Sequence, residues 1–306
     1  MKISVAIEGY WLDKKLEFSD RTVGNYSLFF GYFVGFTNDA EIEKITTRDV
    51  RAFLIYLKEQ KKHSKRTIHD GWVALSSLWT WAEKEIEIAH IIRGKIPIPG
   101  FPEKKIDPFT KEEIKRLVDA ARFSREWKSR KGKRVRSRRP TGDRDVAIIL
   151  TLLDSGARNT ELRRFNVKDY DSATGRLFIA HGKGDKQRFV VLGNRAKKSL
   201  WRYLASRPDA KSDEPLFITA TGERLLRDNL HHMLRRMGEQ AGVLPANPHR
   251  FRHTMAINFL RNGGNVFVLK ELLGHSSLTM VMRYARIAEI DIDGAARFSI
   301  ADNWKI

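Results

Sequence analysis

The chain has 306 residues, of which 42% are hydrophobic and 10% aromatic, a composition that predicts about two globular domains and excludes a disordered chain. It has no cysteine, which excludes disulfides and thiolate sites, and it has no apolar run or leader that would predict a membrane span or export, so we expect a cytoplasmic protein. The formal charge of +20 favours a nucleic-acid partner, because each neutralised phosphate releases counterions; a generally charged surface is the alternative.

Residues 1–93 are predicted to be helical throughout, with apolar side chains at helical spacing in three stretches. The stretches consist of Tyr26, Phe29, Phe30 and Phe33, then Val50, Phe53, Leu54 and Leu57, and then Ile68, Trp72, Leu75 and Trp79. The last helix begins with hydroxyl and cationic side chains, namely Ser64, Lys65, Arg66 and Thr67. Because helix N-termini bind phosphate, we expect these four to contact DNA, although plain capping explains Ser64 equally well.

Residues 94–107 are predicted to link two domains. Three prolines and two glycines fall within positions 94–102, and such a run cannot continue a helix. The second domain, 108–306, begins with a capping box formed by Thr110 and Glu113. Helical patterns interrupted by short strands at 177–180 and 189–192 predict a mainly α fold with a small β-sheet.

The segment 124–141 is unusually basic, with nine cations and one acid. The cations are Arg125, Lys128, Arg130, Lys131, Lys133, Arg134, Arg136, Arg138 and Arg139. Like charges at this density cannot pack together, which predicts a loop that becomes ordered on a polyanion. We expect Arg130, Lys131, Lys133, Arg134 and Arg136 to contact DNA phosphates; a merely solvated loop is the alternative.

Two short motifs combine glycine with a cation. Arg158 follows a Ser-Gly turn at a predicted helix start and precedes Glu161, and a rigid guanidinium at the positive end of a helix suits a bound phosphate. Lys183 lies between two glycines in a predicted hairpin, where the backbone can approach a ligand closely. Each residue also has an explanation without a function: Arg158 would be a surface arginine beside a helix cap, and Lys183 would be an exposed lysine of a hairpin.

A third motif lies on a helix that begins at Asn247 and Pro248, which are suited to the cap and to the first helical position. His249 and Arg252, three residues apart, then lie on one face of its first turns. His249 and His253 are also spaced for a metal ion, but no glutamate follows the first histidine and no thiolate is available.

The fourth motif is Leu-Gly-His, which ends at His275, with Tyr284 nine residues later. The helix that carries the tyrosine has a predicted apolar stripe of Leu278, Val281, Met282 and Ala285. At ~100° per residue, Tyr284 falls about 110° from the centre of that stripe. The pattern therefore predicts a tyrosine presented away from the core.

Together, the four motifs resemble the catalytic domain of the tyrosine recombinases, the phage-integrase family, over residues 107–290. They occur in the family's order: an arginine in a Gly turn before Glu-Leu, a Gly-Lys-Gly hairpin, a His-x-x-Arg-His-Thr helix, and Leu-Gly-His before a tyrosine. Residues 1–93 resemble the family's helical core-binding domain more loosely. The departures are small, such as Phe251 where leucine is usual and Arg286 where histidine often follows the tyrosine, and none removes a reacting group.

The resemblance implies a site-specific DNA recombinase of the simple Xer kind, with two domains that form a C-shaped clamp around DNA. Tyr284 would be the nucleophile that forms a 3′-phosphotyrosyl link, assisted by Arg158, Lys183, His249, Arg252 and His275, with Glu161 in support. His249 would be the general base for the phenol, and Lys183 would protonate the departing 5′-oxygen. No metal, nucleotide or other cofactor is implied.

The implied partners are double-stranded DNA with inverted-repeat core sites and further copies of the chain in a homotetramer on synapsed DNA. Accessory DNA-bending or directionality proteins are further candidates, and the tail 286–306 would pack on a neighbouring protomer. The expected location is the cytoplasm, in association with the nucleoid. Two other functions are weighed against recombination: a type IB topoisomerase with a similar site, which the separate N-terminal domain disfavours, and a catalytically silent DNA-binding regulator, which would be expected to lack the tyrosine or an arginine. A telomere resolvase is a minor option.

Overall fold

The computed structural model describes residues 1–102, 106–129, 132–180, 187–275 and 277–288. The chain divides into two compact units, 1–104 and 105–306. Both units are mainly helical, and the strands within the described ranges form two small two-stranded antiparallel sheets. The predicted fold class, mainly α with a small β component, is confirmed. In the described part of the chain, no helix is long and apolar enough to cross a bilayer.

The first unit contains four α-helices around an aromatic core. They are α1 (Ile3–Lys14), α2 (Asp20–Thr37), α3 (Thr47–Glu59) and α4 (Lys65–Glu85). The three predicted apolar stripes face this core, and its largest buried side chains include Tyr10, Phe29, Phe30, Phe33, Phe53 and Trp79. Ser64 caps α4, because its hydroxyl accepts a hydrogen bond from the Thr67 backbone N–H.

The prediction that residues 1–93 are helical throughout is wrong at its C-terminal end. After α4, residues 86–93 form no helix. His90 explains the change, because its buried Nδ1 accepts hydrogen bonds from the N–H groups of Ile92 and Arg93. These contacts replace helical hydrogen bonds and allow Ile92 and Ile96 to pack into the aromatic core.

The second unit is built around α6 (Gly142–Ser155), which packs against α5 (Lys111–Arg122), α8 (Asn194–Ala205) and α10 (Pro248–Arg261). The other α-helices among the described residues of this unit are α7 (Asn159–Arg164), α9 (Arg227–Ala241), α11 (Val266–Leu273) and α12 (Leu278–Ile287). The predicted caps at Thr110 and Asn247 are both present. They fix where α5 and α10 begin.

The sheet predicted in the second unit consists of β3 (Arg176–Ile179) and β4 (Arg188–Val191). Each strand begins one residue earlier than its pattern predicts. The strands pair antiparallel, with Leu177 opposite Val190, and both of these side chains point into the core. The hairpin that connects them, 181–186, lies outside the described residues.

The prediction that segment 124–141 is an unpacked loop is wrong for the residues described. Strands β1 (Trp127–Lys128) and β2 (Arg134–Val135) pair antiparallel, and we call 124–139 the basic hairpin. Three of its arginines form ion pairs with acids of α5 and α6: Arg136 with Asp119, Arg138 with Asp143, and Arg139 with Asp145. Carboxylates supplied by other elements therefore offset part of the like charge that argued against packing.

Candidate active site

The turn after α6 places the first arginine of the site. Gly156 adopts a left-handed conformation with φ of 58°, and a Cβ there would lie 3.0 Å from Leu273 Cδ2, so a larger residue is disfavoured on both counts. Two residues later, Arg158 occupies the N-cap position of α7. Glu161 accepts from the Arg158 backbone N–H at 2.7 Å and from its guanidinium Nη1 at 2.7 Å. The turn and the cap together fix the direction of the Arg158 side chain.

Three arginines converge on the C-terminal end of α11. The last carbonyls of a helix lack intrahelical partners and carry partial negative charge, so cations are stabilised there. The contacts are Arg188 Nε to the Leu272 carbonyl at 2.8 Å, Arg252 Nη2 to the Leu273 carbonyl at 2.6 Å and Arg158 Nη2 to the Gly274 carbonyl at 3.0 Å. The arginines thereby hold the backbone immediately before His275.

Glu161 is the buried anion of this arrangement. Its two oxygens accept from Arg188 at 3.1 and 2.8 Å, in addition to the contacts with Arg158. Burial alone would raise the pKa of Glu161, but the hydrogen bonds and charge of Arg188, with those of Arg158, hold its pKa below the usual value. The carboxylate therefore stays ionised at neutral pH and supports the position of both arginines.

Arg188 is a functional neighbour that the sequence motifs missed. Its side chain is 8% exposed and bonds Glu161 on α7 as well as the end of α11. Gly274 makes this approach possible, because a Cβ there would lie 2.9 Å from Arg188 Nη1. Arg188 is the first residue of β4, and no sequence motif around it indicates this role.

Arg252 and His275 lie deep in the site, with exposures of 4% and 6%. Arg252 also donates from Nη1 to the Gly156 carbonyl at 2.8 Å. Burial and the charge of Arg158 lower the pKa of Arg252 to about 10, so it is still a cation at neutral pH. Burial, Arg252 and Arg158 lower the pKa of His275 to about 4, so its ring is neutral. Among the described residues, the buried His275 Nδ1 has no hydrogen-bond partner.

The prediction that Tyr284 faces away from the core is wrong. Its exposure is 5%, and the buried residues of α12 are Val281, Tyr284 and Ala285, followed by the buried C-cap residue Ala288, while Met282 is exposed. The buried side of the helix therefore does not coincide with the predicted apolar stripe, in which Met282 is exposed and Leu278 is only half-buried. Helices α10 and α11 both pack against α12, and Tyr284 belongs to the buried cluster that residues of the three helices form.

The hydroxyl of Tyr284 lies 2.9 Å from Nδ1 of His253. Burial raises the pKa of Tyr284, although the charges of Arg252, Arg283 and Arg158 act in the opposite direction. The phenol therefore keeps its proton at neutral pH. The spacing of His249 and His253 indicated only a metal-ligand role for His253, and in the described part of the chain no group of three His, Asp or Glu is placed to hold a metal ion.

The structure thus brings most of the predicted catalytic residues together in one unit. Arg158, Glu161, Arg252 and His275 are joined through α11, and Tyr284 lies within reach of the Arg252 charge. His249 is exposed in the first turn of α10, one turn before His253. Lys183 lies outside the described residues.

The residues predicted to contact DNA lie in both units. Lys65 and Arg66 are exposed at the start of α4, where Arg66 stacks on Phe101 at 4.6 Å. Lys133, Arg134 and Arg136 are exposed on the basic hairpin. Arg130 and Lys131 lie outside the described residues.

The site therefore places a buried tyrosine among arginines and neutral histidines in a mainly helical unit. Residues 108–290 match the pattern of the Phage integrase family, and residues 14–87 match that of the phage integrase N-terminal SAM-like domain. The chain belongs to the phage integrase family. It is a Xer-like tyrosine recombinase, an enzyme of site-specific DNA recombination, and neither the topoisomerase nor the silent regulator is favoured.

Curated relatives and a solved structure extend this match over most of the chain. Tyrosine recombinase XerC of Oceanobacillus iheyensis is 28% identical over 264 residues, which are 82% of this chain and 79% of the relative. XerD of the same organism is 26% identical over 299 residues, covering 94% and 95%. The Tn1549 transposon integrase in complex with transposon right end DNA has the same fold, with a TM-score of 0.77 at 16% identity and 100% coverage of both chains.

Proposed function

We propose that this recombinase cleaves DNA by attack of Tyr284 on a phosphodiester held by Arg158 and Arg252. The observation that carries the proposal is the burial of the tyrosine hydroxyl inside the field of these two guanidinium groups. A phosphodiester is a poor electrophile, so the positive charge must be placed where negative charge develops in the transition state. Backbone carbonyls hold both arginines in place, and Glu161 also holds Arg158.

The arginines retain donors for a substrate. Each guanidinium has five N–H groups, and the contacts described above engage two of the nitrogens of each. Bidentate contacts from the remaining N–H groups suit the nonbridging oxygens of a phosphate. His275 would add a hydrogen bond, since its buried Nδ1 lacks a partner in the described part of the chain.

The chemical step needs neither a nucleotide nor a high-energy cofactor. The Tyr284 oxygen forms a bond to phosphorus as the bond from phosphorus to the 5′-oxygen breaks, so the phosphotyrosyl link conserves the bond energy. Lys183 is proposed to protonate the departing oxygen, and His249 retains the general-base role that the family implies. A 5′-hydroxyl from a partner duplex would then attack the link and complete the exchange.

Covalent capture tests this mechanism. A core duplex, selected by binding from a random pool and nicked near the scissile phosphate, loses its 5′-hydroxyl fragment by diffusion after cleavage. In EDTA and without nucleotide, we expect the protein to become linked to the 3′-phosphate, because side chains supply the positive charge. A gel that shows bound duplex but no covalent band in EDTA, and a band after Mg²⁺ is added, would contradict the proposal.

We further propose that both units grip duplex DNA as a clamp. The charge of +20 and the exposed cations at the start of α4 support this, as do similar folds solved in complex with DNA, such as XerH bound to difH and lambda integrase bound to a COC' core site. Assembly as a tetramer on inverted repeats, with accessory proteins and association with the nucleoid, is proposed from the family. Of the tail proposed to pack on a neighbouring protomer, residues 289–306 lie outside those the structure describes.

The basic hairpin is proposed to grip phosphates without reading bases. We expect Arg125→Gln, Lys128→Gln and Lys133→Gln together to flatten the slope of log K against log salt by about 2.7, at ~0.9 for each lost phosphate contact. These three cations are exposed, whereas Arg136, Arg138 and Arg139 pair with carboxylates. Fluorescence anisotropy over a salt series measures the slope for core and random duplexes.

The matched control for the hairpin keeps its charge, with Arg125→Lys, Lys128→Arg and Lys133→Arg, and should preserve the slope. Affinity for core and random duplex should fall together in the neutral variant, because phosphate contacts carry no base information. Loss of discrimination between the duplexes with an unchanged slope would mean that the hairpin reads bases.

A further inference from the structure

Arg188 lies where the strand pattern would place an apolar side chain. It is the first residue of β4, two residues before Val190, so the two side chains share one face of the strand. Val190 packs in the core of the unit, and the Arg188 side chain is itself only 8% exposed. A cation in such a position loses its hydration, which is costly unless the cation is paired. The partners of Arg188 therefore decide what it does there.

All three guanidinium nitrogens of Arg188 donate to protein acceptors. Nη1 and Nη2 bond the two oxygens of Glu161 at 3.1 and 2.8 Å, and Nε bonds the Leu272 carbonyl at 2.8 Å. Arg158 donates to the same two oxygens from Nη1 and from its backbone N–H, each at 2.7 Å, but its side chain is 23% exposed. The two arginines thus have different tasks, because Arg188 uses its donors within the protein and Arg158 retains donors for a substrate.

We propose that Arg188 is a positioning residue for DNA cleavage, which holds the Glu161 carboxylate so that this carboxylate orients Arg158 toward the phosphodiester; the inference rests on the proposed function. Each oxygen of Glu161 accepts one hydrogen bond from Arg188 and one from Arg158. A bidentate pair fixes the plane of a carboxylate as well as its place. That plane sets the direction from which Arg158 can bond it. Arg188 acts through Glu161 and does not contact the reacting phosphate.

Electrostatics explains why two arginines share one buried acid. Burial raises the pKa of Glu161, and the hydrogen bonds and charge of Arg188, followed by those of Arg158, lower it. The other ionisable groups that interact with it are Arg252 of α10 and His275, which follows α11. A phosphodiester bound at Arg158 and Arg252 would add negative charge near the carboxylate and raise its pKa. Arg188 keeps Glu161 ionised while Arg158 is engaged by the substrate.

Cleavage rates over a range of pH test this role. Single-turnover adduct formation on the nicked core duplex, at saturating DNA, is measured for the unmodified protein and for Arg188→Met, which removes the charge and the donors. The ratio of the two rates is compared across pH, because protonation of groups that both proteins share cancels in it. Both rates are measured again in a Glu161→Gln background, where position 161 cannot take up a proton.

We expect Arg188→Met to bind the duplex within about threefold of the unmodified affinity and to cleave it ~10- to 10²-fold more slowly at neutral pH, on the scale of a misplaced reacting group. The pKa of Glu161 rises when Arg188 is lost, so its proton is taken up at a higher pH than in the unmodified protein. Below that pH the ratio should fall further, by up to about tenfold per pH unit, since the neutral acid holds Arg158 less well. With glutamine at position 161, the effect of Arg188→Met should be smaller and independent of pH.

Arg207→Met is the matched control. Arg207 follows α8 in the same unit, its side chain is 12% exposed, and it pairs with Glu214 at 3.0 Å. Its loss removes a similar ion pair outside the site, so the rate ratio should stay near one at every pH. Thermal unfolding shows which variants are folded. If Arg188→Met does not fold, Arg188→Lys carries the test: it keeps the charge but not the planar fork, so it should cleave more slowly without the added loss at acid pH.

Cleavage by a folded Arg188 variant at the unmodified rate would reduce the pair to a structural contact and overturn the proposal. A loss of the same size with glutamate and with glutamine at position 161 would also overturn it, because Arg188 would then act independently of Glu161. Absence of any adduct in the unmodified protein would instead contradict the proposed function itself.

Discussion

Replacement of Tyr284 by phenylalanine is expected to abolish covalent adduct formation while DNA binding stays unchanged. The variant keeps the ring that packs with Val281 and Ala285 in the buried face of α12, and it removes only the oxygen that bonds to phosphorus. The loss should be complete within detection, because no second step can replace the covalent link. Denaturing gels of the nicked core duplex measure the adduct, and band-shift titration measures binding.

The Tyr284→Phe variant also loses the hydrogen bond with His253, which costs on the order of 1 kcal/mol of folding free energy. Thermal unfolding therefore accompanies the assay and should show a small decrease in Tm. An adduct that persists in the folded variant would show that another residue is the nucleophile.

Replacement of Arg158 by alanine should lower the cleavage rate by a factor of ~10² to 10³, on the scale of one lost group that stabilises transition-state charge. The change removes a donor to phosphate and the contact that holds the Gly274 carbonyl before His275. It leaves Glu161 with Arg188 as its partner, so the buried carboxylate remains paired. Single-turnover rates at saturating DNA measure the effect apart from binding.

The control for this change is Arg235→Ala. Arg235 forms an exposed pair with Glu239 on α9, and the loss of such a pair typically changes stability by less than ~1 kcal/mol, so cleavage at saturating DNA should remain close to that of the unmodified protein. A cleavage rate for Arg158→Ala within a factor of about three of the unmodified enzyme would show that Arg158 does not stabilise the transition state.

Local sequence rules were sufficient for several parts of the fold. Ser64, Thr110 and Asn247 cap the helices that their patterns predicted, because a cap depends only on residues within one turn. The spacing of the four motifs also predicted that Arg158 and Arg252 belong to one site. Both donate hydrogen bonds to carbonyls at the C-terminal end of α11.

The errors arise where contacts join distant parts of the chain. The link of Arg188 to Glu161 and to the end of α11 depends on three separate elements, so no local pattern could show it. The apolar stripe predicted for α12 misplaces Tyr284, because it includes Met282, which is exposed, and Leu278, which is only half-buried. The basic hairpin was predicted to be unpacked because the acids that pair with it, on α5 and α6, lie outside the segment.

The central claim is that Tyr284 forms the covalent link, and mapping of the adduct tests it most directly. The unmodified protein is incubated with the nicked core duplex in EDTA, digested with nuclease and protease, and analysed by tandem mass spectrometry. We predict a single modified peptide that carries a 3′-linked nucleotide on Tyr284, which is buried in a cluster with residues of α10 and α11. A nucleotide attached to any other residue, or a covalent band that yields no modified Tyr284, would contradict the account.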